Sequence, residues 1–300
     1  MRTSIAGKAI AILELVRLHN VLVSVVTTYV GYATLTYYYI NSRPFDESFL
    51  IAAIVVALVA AGGYAINDYF DIKIDKVNKP WRPLPSGRIS ANTAYKLAII
   101  LFATGIIIAY IYAGLLSGSY ALMTALLLYL YSQRLKRSGV LGNIIVAFNS
   151  ASTIFYGGLV AAEMNGLYKL LWKPFLPFTY AFLLVLGREV VKGIEDYEGD
   201  RLANVRTIAV VLGPLKARIV TLIILVLVIS ISPLPYLLRV YNIYYMLLAS
   251  IVDALILASL IILFAGGNSD SKVIKEAGLA RSILKWGFLV GALAFIAGLF

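Results

Sequence analysis

Cysteine is absent from the 300 residues, and histidine occurs once, at His19. Without thiols there is no disulfide, no thiolate nucleophile and no cysteine-type zinc site, and one imidazole cannot build a histidine-clustered metal centre. Charge is scarce as well: Asp, Glu, Lys and Arg make up 14% of the chain, against about 25% in a soluble domain. Apolar residues fill the gap, at 61% of the sequence with a mean hydropathy of +0.88. A chain of this kind hides its surface in lipid rather than in a water-soluble core. No cleavable leader is expected, because Glu14 and Arg17 interrupt the first apolar run and no small-residue cleavage pattern follows.

Hydropathy divides the chain into nine spanning segments, near 18–40, 48–69, 94–114, 118–133, 142–162, 172–192, 213–235, 243–265 and 282–300, with a start near Ile10 as the alternative for the first. The expected fold is therefore all-α: a bundle of nine transmembrane helices with cap loops on the cytoplasmic side, forming one domain over residues 1–300. Of the 26 Lys and Arg residues, only Arg43, Lys169, Lys173 and Arg239 fall on one side of this topology. The crowded side is then cytoplasmic, and the net charge of +11 reflects membrane orientation instead of nucleic-acid binding. The turn between the third and fourth spans is placed at Ser117-Gly118-Ser119, and the stretch with Lys272, Lys275 and Glu276 reads as a solvated loop. Asp253, inside the eighth span, has no role assignable from sequence.

The most informative stretch is Asn67-Asp68-Tyr69-Phe70-Asp71-Ile72-Lys73-Ile74-Asp75, at the end of the second span. On a helix, Asn67, Asp68, Asp71 and Asp75 share one face, since they stand three or four apart. Like charges so arranged repel unless a cation joins them. Mg²⁺ fits, because it takes few carboxylates and fills its remaining positions with water and substrate phosphate oxygens. A solvated helix end is the plainer alternative. The loop that follows, Lys76 to Arg88, sets Lys79 and Arg82 among Pro80, Pro83 and Pro85, so its cations are held rather than waving. Ser90 is placed to cap the next helix.

A second acidic cluster lies at the end of the sixth span, where Arg188, Lys192, Asp196 and Asp200 step by four along one expected helical face. A cation pair leading into a carboxylate pair suits a diphosphate with its metal. Arg17 and Asn20, three apart near the start of the first span, can face into the bundle, although an arginine snorkelling to headgroups would look the same. Tyr131 and Arg134 can present a hydroxyl and a guanidinium to one anion. His19 reads as structural.

At these residues the chain resembles the UbiA superfamily of intramembrane prenyltransferases. The first signature of that family, Asn-Asp-x-x-Asp-x-x-x-Asp, stands at Asn67, Asp68, Asp71 and Asp75, and the second, Asp-x-x-x-Asp, at Asp196 and Asp200. The segments Asn78-Lys79-Pro80-x-Arg82-Pro83 and Ile194-Glu195-Asp196-x-Glu198-Gly199-Asp200 look most like an archaeal branch that adds a geranylgeranyl chain to geranylgeranylglyceryl phosphate. Leu18, Gly193 and Asn204 depart from the usual pattern, the last tolerably because Asn visits positive φ. The resemblance implies an enzyme of the cell membrane with its site on the cytoplasmic side. It would take a prenyl diphosphate, geranylgeranyl diphosphate above all, and a lipid acceptor. Asp68, Asp71, Asp196 and Asp200 would bind Mg²⁺, with Asp75 alongside. Asn20, Asn67, Arg17, Lys79, Arg82, Tyr131, Arg134, Arg188 and Lys192 would bind substrate. Transfer would pass through an allylic carbocation. An aromatic acceptor such as 4-hydroxybenzoate is the neighbouring alternative. A cation-coupled transporter would instead place its charges near mid-bilayer, and the Asp-Gly and Ala-Arg framework of a CDP-alcohol phosphotransferase is missing.

Overall fold

The computed structural model describes residues 5–37, 45–265, 267 and 269–300; Arg43, counted in the charge asymmetry, lies outside them. The described residues form helices α1 (Ile5–Leu15), α2 (Leu18–Thr36), α3 (Glu47–Asn78), α4 (Ala91–Ile108), α5 (Leu115–Gln133), α6 (Val140–Asn165), α7 (Trp172–Glu195), α8 (Tyr197–Leu202), α9 (Ile208–Leu212), α10 (Pro214–Ile231), α11 (Leu234–Leu237), α12 (Ile243–Ala265) and α13 (Asp270–Ala297). Among these residues nine helices are long and apolar enough to cross a membrane, in the places hydropathy gave them. The protein is an integral membrane protein, and the regular structure among its described residues is helical, so it satisfies its own backbone polar groups in lipid. Contacts group them into two compact units, Met1–Arg134 with Thr153–Leu171 and Leu135–Ser152 with Trp172–Phe300.

Four expectations are corrected. The first span does not run back to Ile10: the chain breaks at Arg17, which takes a left-handed conformation (φ 51°, ψ 58°), and α1 is a separate helix. The turn before α5 is at Gly114 (φ 125°), and Ser117 to Ser119 are already helical. The Lys272–Glu276 stretch belongs to α13, which buries Val273 and Ala277 while Lys272 and Lys275 stay exposed. Finally, the face drawn through Asp200 is broken, since α7 stops at Glu195.

In the first unit, small residues let helices meet backbone to backbone. A Cβ on Gly31 would overlap the Ile154 carbonyl, and one on Gly157 would overlap that of Thr28. The Thr27 and Thr153 hydroxyls share a hydrogen bond of 2.8 Å beside this crossing. Lipid tails are as apolar as the helices, so close fit and buried hydrogen bonds hold such a bundle together. α4 continues as a π-helical turn, Ala109–Ala113. At Gly114 the chain turns back, and the Glu163 carboxylate of α6 accepts from the Leu116 and Ser117 amides at 2.9 and 2.6 Å. These are orphan donors of the first turn of α5, capped by a carboxylate on another helix.

In the second unit, α13 packs along α12 and α7. Ala277, Ala280, Gly287, Gly291 and Ala294 are among its buried positions, and the Ser259 hydroxyl donates to the Ala280 carbonyl at 3.1 Å. Asp253 accepts from the Tyr180 hydroxyl at 3.3 Å, tying α12 to α7. The buried Arg218 on α10 donates to the Gly267 carbonyl at 2.7 Å and stacks on the Phe264 ring.

Candidate active site

The first carboxylate cluster lies in the last turns of α3, as its spacing required. Asp68 and Asp75 are buried at 2% and 5% exposure, while Asn67 and Asp71 are half-buried on the same helix. A carboxylate that deep needs partners. Arg17 Nη2 donates to Asp68 Oδ1 at 2.6 Å, and Arg82 Nη1 lies 3.2 Å from the same oxygen and 2.7 Å from Asp75 Oδ2. Arg17 also stands over the Tyr64 ring at 5.1 Å. The helix break at Arg17 thus turns its guanidinium inward, and the proline-stiffened loop holds Arg82 over α3.

The loop cations divide into two kinds. Arg88 is spent on structure: it donates to Glu14 at 2.6 Å and to the Trp81 carbonyl at 2.8 Å. The Arg88 hydrogen bond holds the Glu14 carboxyl below the usual glutamate range. Lys79 and Arg134 are exposed, and no ion pair joins either among the described residues. Asn20 and Tyr131 are half-buried. Ser90 caps α4 through Thr93, as its position suggested, whereas His19 is exposed.

The second cluster is built differently. Arg188 and Lys192 lie on α7, at 3.6 and 3.8 Å from the buried Glu189 carboxylate. The chain then leaves the helix at Asp196 (φ −85°, ψ 9°) and restarts as α8, so Asp196 is exposed and Asp200 half-buried. Burial first, then the neighbouring Asp196, pushes the Asp200 carboxyl up, against the opposing pull of Lys192 and the Thr207 hydroxyl. Thr207 in turn caps α9 through Val210. Asn204, beyond α8, adopts φ 55°, the left-handed geometry anticipated for it.

Sequence reasoning missed Glu189 as the partner of the α7 cations, the Glu14–Arg88 pair, and Arg281 of α13, which pairs with Glu195 at 2.9 Å. Of these, Glu189 carried a local signal, standing three residues before Lys192 on one helix. Thr207, also missed, carried another as a threonine just before a short apolar run. Among the described residues no three carboxylate or imidazole groups converge into a preformed metal cage. The donor set still suits a hard dication that completes its shell with water and phosphate: all oxygen, with few carboxylates in each cluster.

The UbiA prenyltransferase family profile matches residues 24–280, a span containing both clusters. The chain belongs to this family. A UbiA prenyltransferase is what the two aspartate signatures implied, and the resemblance is borne out. The digeranylgeranylglyceryl phosphate synthase of Hyperthermus butylicus is 47% identical over 293 residues, covering 96% of both chains. A solved structure concerned with digeranylgeranylglyceryl phosphate synthase in membranes matches with a TM-score of 0.81 at 32% identity, over 97% of this chain and 98% of that one. A UbiA homolog from Archaeoglobus fulgidus bound to GPP and Mg²⁺ shares the fold at 20% identity and a TM-score of 0.66, over 94% and 99% of the two chains.

Proposed function

We propose that this UbiA enzyme transfers a geranylgeranyl group from geranylgeranyl diphosphate to geranylgeranylglyceryl phosphate, with Mg²⁺ as cofactor, at the cytoplasmic side of the cell membrane. The observation that carries the reading is the 47% identity, over 96% of each chain, to the Hyperthermus butylicus digeranylgeranylglyceryl phosphate synthase. The lopsided distribution of Lys and Arg supports the orientation.

Asp68, Asp71, Asp196 and Asp200 would hold two Mg²⁺ ions, directly or through water. When bound, the metal neutralises a leaving diphosphate as a Lewis acid. The remaining work belongs to the chain's own residues. Arg17 and Arg82 keep Asp68 fixed and offer further N–H groups to phosphate oxygens. Asp75, with 2.7 Å between its oxygen and Arg82, acts by aiming that guanidinium. Asn20, Asn67, Lys79, Tyr131, Arg134, Arg188 and Lys192 are assigned to diphosphate or acceptor phosphate. Phosphate-bearing substrates at both ends of the reaction account for so many cations. As the allylic C–O bond ionises and diphosphate leaves, helices exclude water from the delocalised cation until the glycerol hydroxyl captures it, forming the ether and releasing its proton to the departing diphosphate or to water.

The test is turnover of a labelled geranylgeranyl donor by purified protein with geranylgeranylglyceryl phosphate or 4-hydroxybenzoate. Mg²⁺-dependent product from the glycerol lipid alone is expected. Product from the aromatic acid alone would overturn the acceptor.

A further inference from the structure

Asp196 and Asp200 are four residues apart, yet no continuous helix fixes their separation. α7 ends at Glu195, Asp196 is non-helical, and α8 is a six-residue helix that buries none of its side chains. α8 is lightly anchored, through the half-buried Asp200 and the Thr207 hydroxyl beside it. Its backbone hydrogen bonds are local, with Asp200 N–H donating to the Asp196 carbonyl and Val205 N–H to the Asp200 carbonyl, both at 2.9 Å. Where Asp196 sits is decided by what holds the last turn of α7.

Val190, Val191 and Ile194 are buried at that end of α7, and the last helix of the chain adds a polar hold at its final residue, Glu195. Arg281 Nε of α13 lies 2.9 Å from Glu195 Oε2, without an N–H aimed at it, so the contact is an ion pair and not a directed hydrogen bond. One turn earlier on α13, Gly278 leaves a notch for the same carboxylate: a Cβ there would stand 3.3 Å from Glu195 Oε1. Glu195 thus lies on α13 between a bare backbone and a guanidinium. α13 itself is an unbroken helix from Asp270 to Ala297 packed along α12 and α7, a firm post for such a tether. Both side chains are about one-third exposed, at 34% and 29%. Screening by solvent then keeps the pair's contribution to stability small, and its effect is geometric.

We infer that Arg281, through Glu195, is a positioning residue for the Asp196–Asp200 pair, setting how tightly the second carboxylate cluster grips its divalent ion. The inference rests on the metal role proposed above for Asp196 and Asp200. Residues that orient metal ligands from outside the coordination shell change affinity by roughly 10–100-fold when removed.

The probe is Mn²⁺ binding to the purified protein in the presence of inorganic pyrophosphate, followed by electron paramagnetic resonance, alongside Mg²⁺-dependent turnover. Arg281→Ala and Glu195→Gln should each weaken Mn²⁺ binding by about 10-fold or more. The half-saturating Mg²⁺ should rise in step while kcat at saturating Mg²⁺ stays near wild type. Arg281→Lys should lie between, and the exchanged pair Arg281→Glu with Glu195→Arg should regain most of the affinity. If Arg281→Ala does not fold, the shape-preserving Glu195→Gln carries the test. Wild-type Mn²⁺ affinity in a folded Arg281→Ala or Glu195→Gln protein overturns the inference, provided Asp196→Asn abolishes binding in parallel. If Asp196→Asn also binds normally, the metal reading falls with it.

Discussion

Arg17 donates to Asp68 at 2.6 Å although the two are 51 residues apart, and it does so from a left-handed backbone with φ 51°. For a residue with a Cβ that conformation costs roughly 1–2 kcal/mol, so the break between α1 and α2 is a strained joint held by its ion pair. Glycine adopts the same geometry freely. Arg17→Gly should consequently be more stable than Arg17→Ala by about 1 kcal/mol, measured by denaturant titration in detergent. Turnover should fall in both, because both lose the guanidinium.

Asp75 and Asp68 share Arg82, but the roles proposed for them differ. Asp75→Asn leaves the metal carboxylates in place and loosens a cation, so kcat/KM should drop by about 10–100-fold, mostly through KM for the prenyl diphosphate. Asp68→Asn should cost about 1,000-fold or more at saturating Mg²⁺. Equal losses from the two would place Asp75 among the ligands.

If Asp200 is the ligand proposed for it, protons and Mg²⁺ compete there, at a carboxyl pushed up by burial and by Asp196. A raised native value means the folded state keeps this proton to higher pH than the unfolded chain does. The stability it lends is complete below the unfolded-state value and is lost as pH rises through the folded one. Divalent ion reverses the preference by stabilising the charged form. The half-saturating Mg²⁺ should therefore increase as pH is lowered from neutrality toward the ordinary carboxylate range, with kcat at saturating metal changing less. A Mg²⁺ requirement flat across that range would count against Asp200 as a ligand.

Glu163 caps α5 at the end of the first unit opposite Asp68. Glu163→Ala removes the cap from two amides in the first turn of α5, one of them part-buried, and about 1–2 kcal/mol of stability should go with it. Gly114→Ala should be comparably harmful, since Gly114 has φ 125° and its Cβ would overlap the same carboxylate. Neither should alter KM for Mg²⁺, which separates this fold lock from the site. Resistance to unfolding in detergent, read beside Mg²⁺ kinetics, checks both.

Hydropathy located all nine spans, and the two aspartate spacings marked the residues on which the proposed chemistry rests. Both signals are local: one is a run of apolar side chains, the other a set of like charges three or four apart. The misreadings sit where a tertiary partner decides. Nothing near Arg17 announces a left-handed residue, because the stabilising carboxylate is on another helix. The charged first turns of α13 looked like a loop because hydropathy sees lipid contact and not helical hydrogen bonding. The partner of Arg88 was equally hidden, since Glu14 stands 74 positions away in sequence.

The crossing at Gly31 and Gly157 has a bearing on where long isoprenoid tails can travel. Two backbones in contact leave no slot for a methyl-branched hydrocarbon, so the crossing of α2 and α6 at these glycines is closed to an isoprenoid tail. A bulkier residue at one of these glycines would wedge the helices apart and open a sideways leak into the surrounding lipid.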